Sequence, residues 1–356
     1  MSRPDKKHGK LRKAVRIILI VLAVIIMLPI IALFIGRSVN DFRLRLPDGV
    51  REKVYVKLGG YEQYISIRGE NDINPVVIFL HGGPGSPSGF LSYTTLLEGD
   101  YTFIQWDQRG CGRTYYQSPD APLSLNYLLG DLDDLVDYAV ARFHQPVFLV
   151  GHSWGTVLGI EYALKNPDKI AGYIGIGQMT DAIESGRLQA EAAVSAARTA
   201  ENEADAEQIE ELYMTKNEFG DENFDYELFT ELMQLEIHYL DPDAKDPTLT
   251  ALFSPDFGWN DLRYQLLLMS DSKGHFTRQM PLMELLPAFV PPASLDVPSA
   301  FIGGQKDYVC STVLAKKYAV ELGSPFYEID NLGHAPMFDD PKVFAETLKE
   351  ALNNLK

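Results

Sequence analysis

The run VFLVGHSWGTVLGI, Val147 to Ile160, places a serine between two glycines where one apolar segment ends and a second, of helical pattern, begins. Gly151-His152-Ser153-Trp154-Gly155 is a Gly-x-Ser-x-Gly turn in the strand–turn–helix setting of a nucleophile elbow. So sharp a turn needs small flanking residues, which Gly151 and Gly155 supply. It lifts the Ser153 hydroxyl above the sheet edge and points the N-terminus of the next helix at it. A hydroxyl is a weak nucleophile and needs a base, which in turn needs an orienting carboxylate. In the chain order serine, acid, histidine, the strand-like AFIGGQKD ends in Asp307 and the loop in YEIDNLGHAPMF carries His334. Asp330 is the rival acid, but it lies only four residues before that histidine. The other histidines fit worse. His152 is inside the elbow, His81 precedes a glycine pair, and His144 ends a helical segment. His238 and His275 lie in a long helical insertion, and His8 is near the N-terminus.

Acyl transfer also needs two N–H donors for the oxyanion, each worth about 3 kcal/mol if lost. One is the backbone of Trp154, the residue after the nucleophile. The other falls in the loop after the first parallel strand, where His81-Gly-Gly-Pro-Gly lets the backbone approach a substrate oxygen. Gly83 is the expected donor.

These residues need a sheet to hold them. KVYVKLGGYEQYISIRG alternates on both sides of Gly59-Gly60, a hairpin signal. Six short apolar runs follow, beginning at Pro75, Tyr101, Pro146, Ile170, Pro298 and Pro325. Near-continuous apolarity means burial on both faces, hence a parallel sheet covered by helices. The helical segments Leu125–Phe143, Thr156–Lys165, Thr312–Leu322 and Pro341–Leu355 alternate with them. The sequence therefore predicts an α/β fold with an eight-stranded, mostly parallel sheet. The alternation breaks once, after the sixth strand. Residues 179–296 read as a helical cap, and 181–290 carry a net charge of −16. The core is then 50–178 and 297–356.

The first 36 residues are different in kind. Ile17 to Ile35 is an unbroken apolar run, near the 20 or so residues a membrane-crossing helix needs. It is longer than a signal-peptide core and lacks a good cleavage site, so residues 17–35 are expected to be an uncleaved signal anchor. Seven Lys or Arg precede it, Arg3 to Arg16. The positive-inside rule then puts residues 1–16 in the cytoplasm and the large domain outside the cell membrane. The remainder, 37–356, carries a net charge of −23. That argues against nucleic acid as a partner, because phosphate binding needs a basic surface. No His, Glu or Cys cluster has metal-ligand spacing, so no metal or cofactor is implied.

HGGPGSP (81–87), DQRGCGRT (107–114), GHSWGT (151–156), GGQKDYVC (303–310) and Gly333-His334 together resemble the proline iminopeptidases of the α/β-hydrolase superfamily. The similarity covers about residues 50–356. LEIHYL, 235–240, is similar to the family's Glu-x-His-Tyr segment, and this assigns binding of the substrate's free α-amino group to Glu236. The family uses a second cap carboxylate, for which Glu231 and Asp271 are candidates. The resemblance also implies a cis Gly83-Pro84 bond. Its strand order keeps Cys111 and Cys310 about 19 Å apart, too far for a disulfide. The chain departs from the family where His152 replaces glycine, where Thr156 replaces serine, and in its membrane anchor. The expected activity is a membrane-anchored serine aminopeptidase acting on short peptides with a free N-terminus, preferably with N-terminal proline. The alternatives are an esterase or lactonase on the same triad, and an inactive hydrolase fold serving as a binding module.

Overall fold

A computed structural model describes residues 6–355 except Pro47, Phe90, Leu91, Asp243 and Asp246. The start of the basic segment, Arg3 included, lies outside the described residues. Helix α1 (Lys6–Arg43) precedes the hairpin β1 (Val50–Leu58) and β2 (Tyr61–Gly69). Next come β3 (Val76–Leu80), β4 (Thr102–Trp106), α2 (Gly112–Gln117), α3 (Leu125–Phe143), β5 (Val147–His152), α4 (Trp154–Lys165) and β6 (Ile170–Ile176). The insertion contributes α5 (Ala182–Thr199), α6 (Glu203–Thr215), α7 (Tyr226–Leu240), α8 (Thr248–Phe253), α9 (Trp259–Ser270) and α10 (Ser272–Met283). The chain ends with β7 (Ser299–Gly304), α11 (Thr312–Leu322), β8 (Phe326–Ile329), α12 (Pro336–Asp339) and α13 (Pro341–Asn354).

One sheet holds all eight strands in the order β1-β2-β4-β3-β5-β6-β7-β8. Only β2 runs against the rest, because it pairs antiparallel with both β1 and β4. The central strands have no solvated face, and all five residues of β3 and of β4 are buried. Each face of the sheet therefore needs a helical cover. Leu128, Leu132, Leu135 and Val136 of α3 and Val157, Leu158 and Ile160 of α4 form one core. Phe344, Leu348 and Leu352 of α13 form the other. Local signals set the ends of these helices. Ser124 accepts a hydrogen bond from the Tyr127 amide at the start of α3, and Asp340 caps α13 ahead of Pro341.

Helix α4 begins two residues before the apolar pattern suggested, because the turn passes directly from Ser153 into Trp154. Helix α1 extends past both ends of the apolar run. Its last turns are polar and dock on the domain, so periodicity in the apolar run alone could not mark its end. By length and composition α1 can cross a membrane.

Candidate active site

Strand β5 delivers Ser153 at φ 53°, ψ −121°, a positive-φ conformation costly for a residue with a side chain. A Cβ on Gly151 would sit 2.4 Å from the Gly155 oxygen, and one on Gly155 would sit 2.1 Å from the Leu80 oxygen. Neither position has room for alanine. The turn is pinned by the Ser153 amide, which donates to the Ile176 oxygen at 3.0 Å. Thr156 Oγ1 donates to the Ser153 oxygen at 2.6 Å and accepts from the Met179 amide at 3.0 Å. Thr156 thus ties the elbow to the chain entering the insertion. The sequence showed the residue only as a departure and gave no sign of this role.

His334 Nδ1 lies 3.0 Å from both Asp307 carboxylate oxygens. Asp307 is buried and also accepts from the Cys310 amide at 2.9 Å. Burial is the largest effect on the His334 pKa and lowers it, but the charge and hydrogen bond of Asp307 together with the charges of Asp241 and Asp339 outweigh it, and the imidazole titrates above its ordinary value. Asp330, the rival acid, is exposed. Burial pushes the Cys310 thiol well above its ordinary value. Cys111 and Cys310 are both free thiols.

The Gly83-Pro84 bond is cis. The loop lies close to the elbow, since a Cβ on Gly82 would meet Ser153 Cβ at 3.0 Å. Gln108 braces both pieces. Its Nε2 donates to the His81 oxygen at 3.1 Å, and its Oε1 accepts from the Trp154 indole at 3.2 Å. The Asp-Gln-Arg-Gly stretch therefore has a structural task that its sequence did not declare.

A cavity of about 270 Å³ has Gly83, Ser153 and Trp154 in its wall together with Glu236 from α7. Much of the remaining wall is apolar, with Met179, Phe219, Phe224, Phe229, Leu232 and Met283. Glu236 is buried and its Oε2 accepts from Gln189 Nε2 at 2.7 Å. Burial pushes its pKa up to about 7, against the lowering effect of the Gln189 bond. Neither Glu231 nor Asp271 is among the lining residues. Glu231 accepts from Gln208 at 2.6 Å, and Asp271 caps α10. The second carboxylate in the wall is Glu218, 2.5 Å from Lys216 Nζ. Nothing in the spacing of so acidic a segment could have singled out Glu218.

Residues 77–347 match the profile described as the alpha/beta hydrolase family. The chain is 27% identical over 302 residues to the "Probable aminopeptidase YbaC" of Bacillus subtilis, covering 82% of this chain and 93% of that protein. It is 35% identical over 107 residues to the proline iminopeptidase of Heyndrickxia coagulans, spanning 30% of this chain and 35% of that protein. Among solved structures, a proline iminopeptidase-related protein from Thermus thermophilus superposes with a TM-score of 0.54 at 22% identity, covering 86% of this chain and 98% of that one. A bacterial membrane phospholipase A superposes with a TM-score of 0.59 at 15% identity, covering 98% and 99%. At such identities these structures speak for the fold alone.

Proposed function

This chain belongs to the alpha/beta hydrolase family, and from that premise we propose that it is a membrane-anchored serine aminopeptidase. It releases the N-terminal residue, preferably proline, from short peptides. One observation carries the reading: a single cavity holds Ser153 and the buried carboxylate of Glu236 in the same wall. The relatives that bear aminopeptidase and proline iminopeptidase names support it.

Ser153 attacks the carbonyl of the first residue while His334 takes the hydroxyl proton. Asp307, on the Nδ1 side of the ring, fixes the tautomer and stabilises the imidazolium. The N–H groups of Gly83 and Trp154 hold the oxyanion. His334 then protonates the leaving amine, and water hydrolyses the acyl-enzyme by the same route. Glu236 pairs with the substrate's ammonium and so sets the first peptide bond against Ser153, and Glu218 serves as the second carboxylate. Residues 179–296 form the cap, 50–178 and 297–356 the catalytic core, and 17–35 the anchor. Residues 1–16 are cytoplasmic and the core lies outside the cell.

An esterase using the same residues is the second reading, favoured by the largely apolar cavity wall. The full-length protein, assayed side by side on proline, alanine and leucine β-naphthylamides and a p-nitrophenyl ester, separates them. Fast turnover of the proline amide, reduced roughly 10⁶-fold in Ser153→Ala, is the expected result. Ester cleavage with no amide cleavage would replace the aminopeptidase reading with the esterase one.

A further inference from the structure

The cap helix α9 presents an apolar face that has no partner within the described residues. Trp259 is 70% exposed, Leu266 52% and Met269 82%. At 3.6 residues per turn these three fall within an arc of about 80°. The opposite face is inward, with Asp261 and Tyr264 buried.

Helix α1 fixes the level of this face relative to a bilayer. At 1.5 Å per residue the apolar run Ile17–Ile35 is about 28 Å long, against a hydrocarbon core of about 30 Å. The helix then continues unbroken to Arg43. Just beyond the apolar run it is clamped to the cap. The Phe253 ring lies against Gly36, the Arg37 guanidinium donates to the Phe257 oxygen, and Asn40 Nδ2 donates to the Phe253 oxygen at 3.0 Å. Arg37 is two residues, about 3 Å of helix, past Ile35. That places Phe257 at headgroup level, since the polar layer on each side is about 5–8 Å thick. Trp259 is two residues further along the chain and so within about 7 Å of Phe257.

The chemistry of the neighbourhood is that of a membrane interface. Tryptophan concentrates at this depth, where arginine is an interfacial anchor able to pair with phosphate. Exposed Arg43, Arg45 and Phe42 stand at the end of α1, and exposed Arg263 lies on α9. Elsewhere the soluble part carries a large negative charge, so this basic and apolar rim is the side fitted to approach lipid phosphate.

We infer that the Trp259–Leu266–Met269 face of α9 lies in the lipid headgroup region, so that the cap has a second membrane contact besides α1. The inference rests on the anchor reading above.

The chain has three tryptophans, and Trp106 and Trp154 are buried, which leaves Trp259 as the one open to a quencher. Full-length protein in nanodiscs of phosphatidylcholine and phosphatidylglycerol is compared with its Trp259→Phe variant. Lipids brominated near the top of the acyl chain are expected to quench the native protein and not the variant. Acrylamide is expected to quench Trp259 less in nanodiscs than in detergent. Equal bromolipid quenching of the two proteins, with the chain retained in the disc, overturns the α9 contact and leaves the anchor standing. Release of the chain from membranes by alkaline carbonate overturns both.

Discussion

His152 Nε2 lies 2.9 Å from the backbone oxygen of His334, with the two rings 5.0 Å apart between centroids. The elbow therefore holds the loop that carries the proposed base. Burial lowers the His152 pKa to about 4, so at neutral pH the ring is uncharged and its Nε2–H can donate to that oxygen.

Replacing His152 by glycine removes this bond and nothing from the reacting groups. A net hydrogen bond is worth about 0.5–1.5 kcal/mol, so kcat should fall about two- to twelve-fold with KM little changed. The measurement is steady-state kinetics on amide and ester substrates, and both should lose equally. A selective loss on one substrate class would mean that His152 contacts substrate rather than the His334 loop.

As the proposed amine clamp, Glu236 should give the activity a pH dependence that only amine substrates feel. Its pKa is raised to about 7, so lowering pH through that value should remove the carboxylate proposed to pair the ammonium. His334, also raised, must be neutral to accept a proton, and its low-pH loss is common to every substrate. In Glu236→Gln, kcat/KM toward aminoacyl amides should drop about ten- to hundred-fold, the loss of a charge-assisted hydrogen bond. The aminoacyl profile should then keep only the limb seen with uncharged esters, whose rates stay near native. Equal losses on both substrates, or none, would count against the amine clamp.

The parts of the fold that obey a local rule were legible in the sequence. Six apolar runs marked six strands, and the alternation on both sides of Gly59-Gly60 marked the β1–β2 hairpin and its turn. Ser153, Asp307 and His334 could be picked out because each stands at the end of a strand or just after one, where the sheet itself does the positioning. Glu236 came only through resemblance, and its partner Gln189 from α5 could not be foreseen, because their contact depends on how α5 packs on α7. The same limit hid Glu218 and the clamp between α1 and α8. Helix–helix packing leaves no periodic mark on either helix that says which surface meets which.

The glycines of the elbow should differ sharply from glycines elsewhere. Gly155→Ala forces a Cβ to within 2.1 Å of the Leu80 oxygen, a backbone atom that cannot move without β3. Failure to accumulate soluble protein, or a large loss of thermal stability, is expected. Gly130, inside α3, has nothing within 4 Å of its would-be Cβ. Gly130→Ala should therefore stabilise by about 0.5–1 kcal/mol through helix propensity. Thermal melts of the pair would show opposite signs.

A largely buried ion pair joins α9 of the insertion to α2 of the core. Arg113, on α2, turns its guanidinium onto Asp261 of α9, with Nε 2.9 and 3.0 Å from the two carboxylate oxygens. The same guanidinium lies 4.2 Å from the centroid of the Tyr64 ring, and Nη2 also donates to the Asp256 oxygen at 2.5 Å. The side chains of Arg113 and Asp261 are 11% and 4% exposed, so the pair is largely buried. Removing one member of a buried pair leaves the other charge uncompensated, at a cost of about 3–5 kcal/mol. Asp261→Asn keeps the shape and should lower the denaturation midpoint accordingly. Arg187 and Glu184, an exposed pair on α5, provide the contrast, since such pairs contribute about 0–1 kcal/mol. The Asp261 change should also be felt at Asp107. Its pKa is raised to about 7 by burial and by repulsion from Asp261, against the pull of Arg113. Without the Asp261 charge, Asp107 should titrate lower, a shift that carboxyl-labelled NMR can follow. If the Asp261 and Arg187 variants lose stability alike, the cap is not held by this pair, and the apolar contacts beneath α9 must hold it instead.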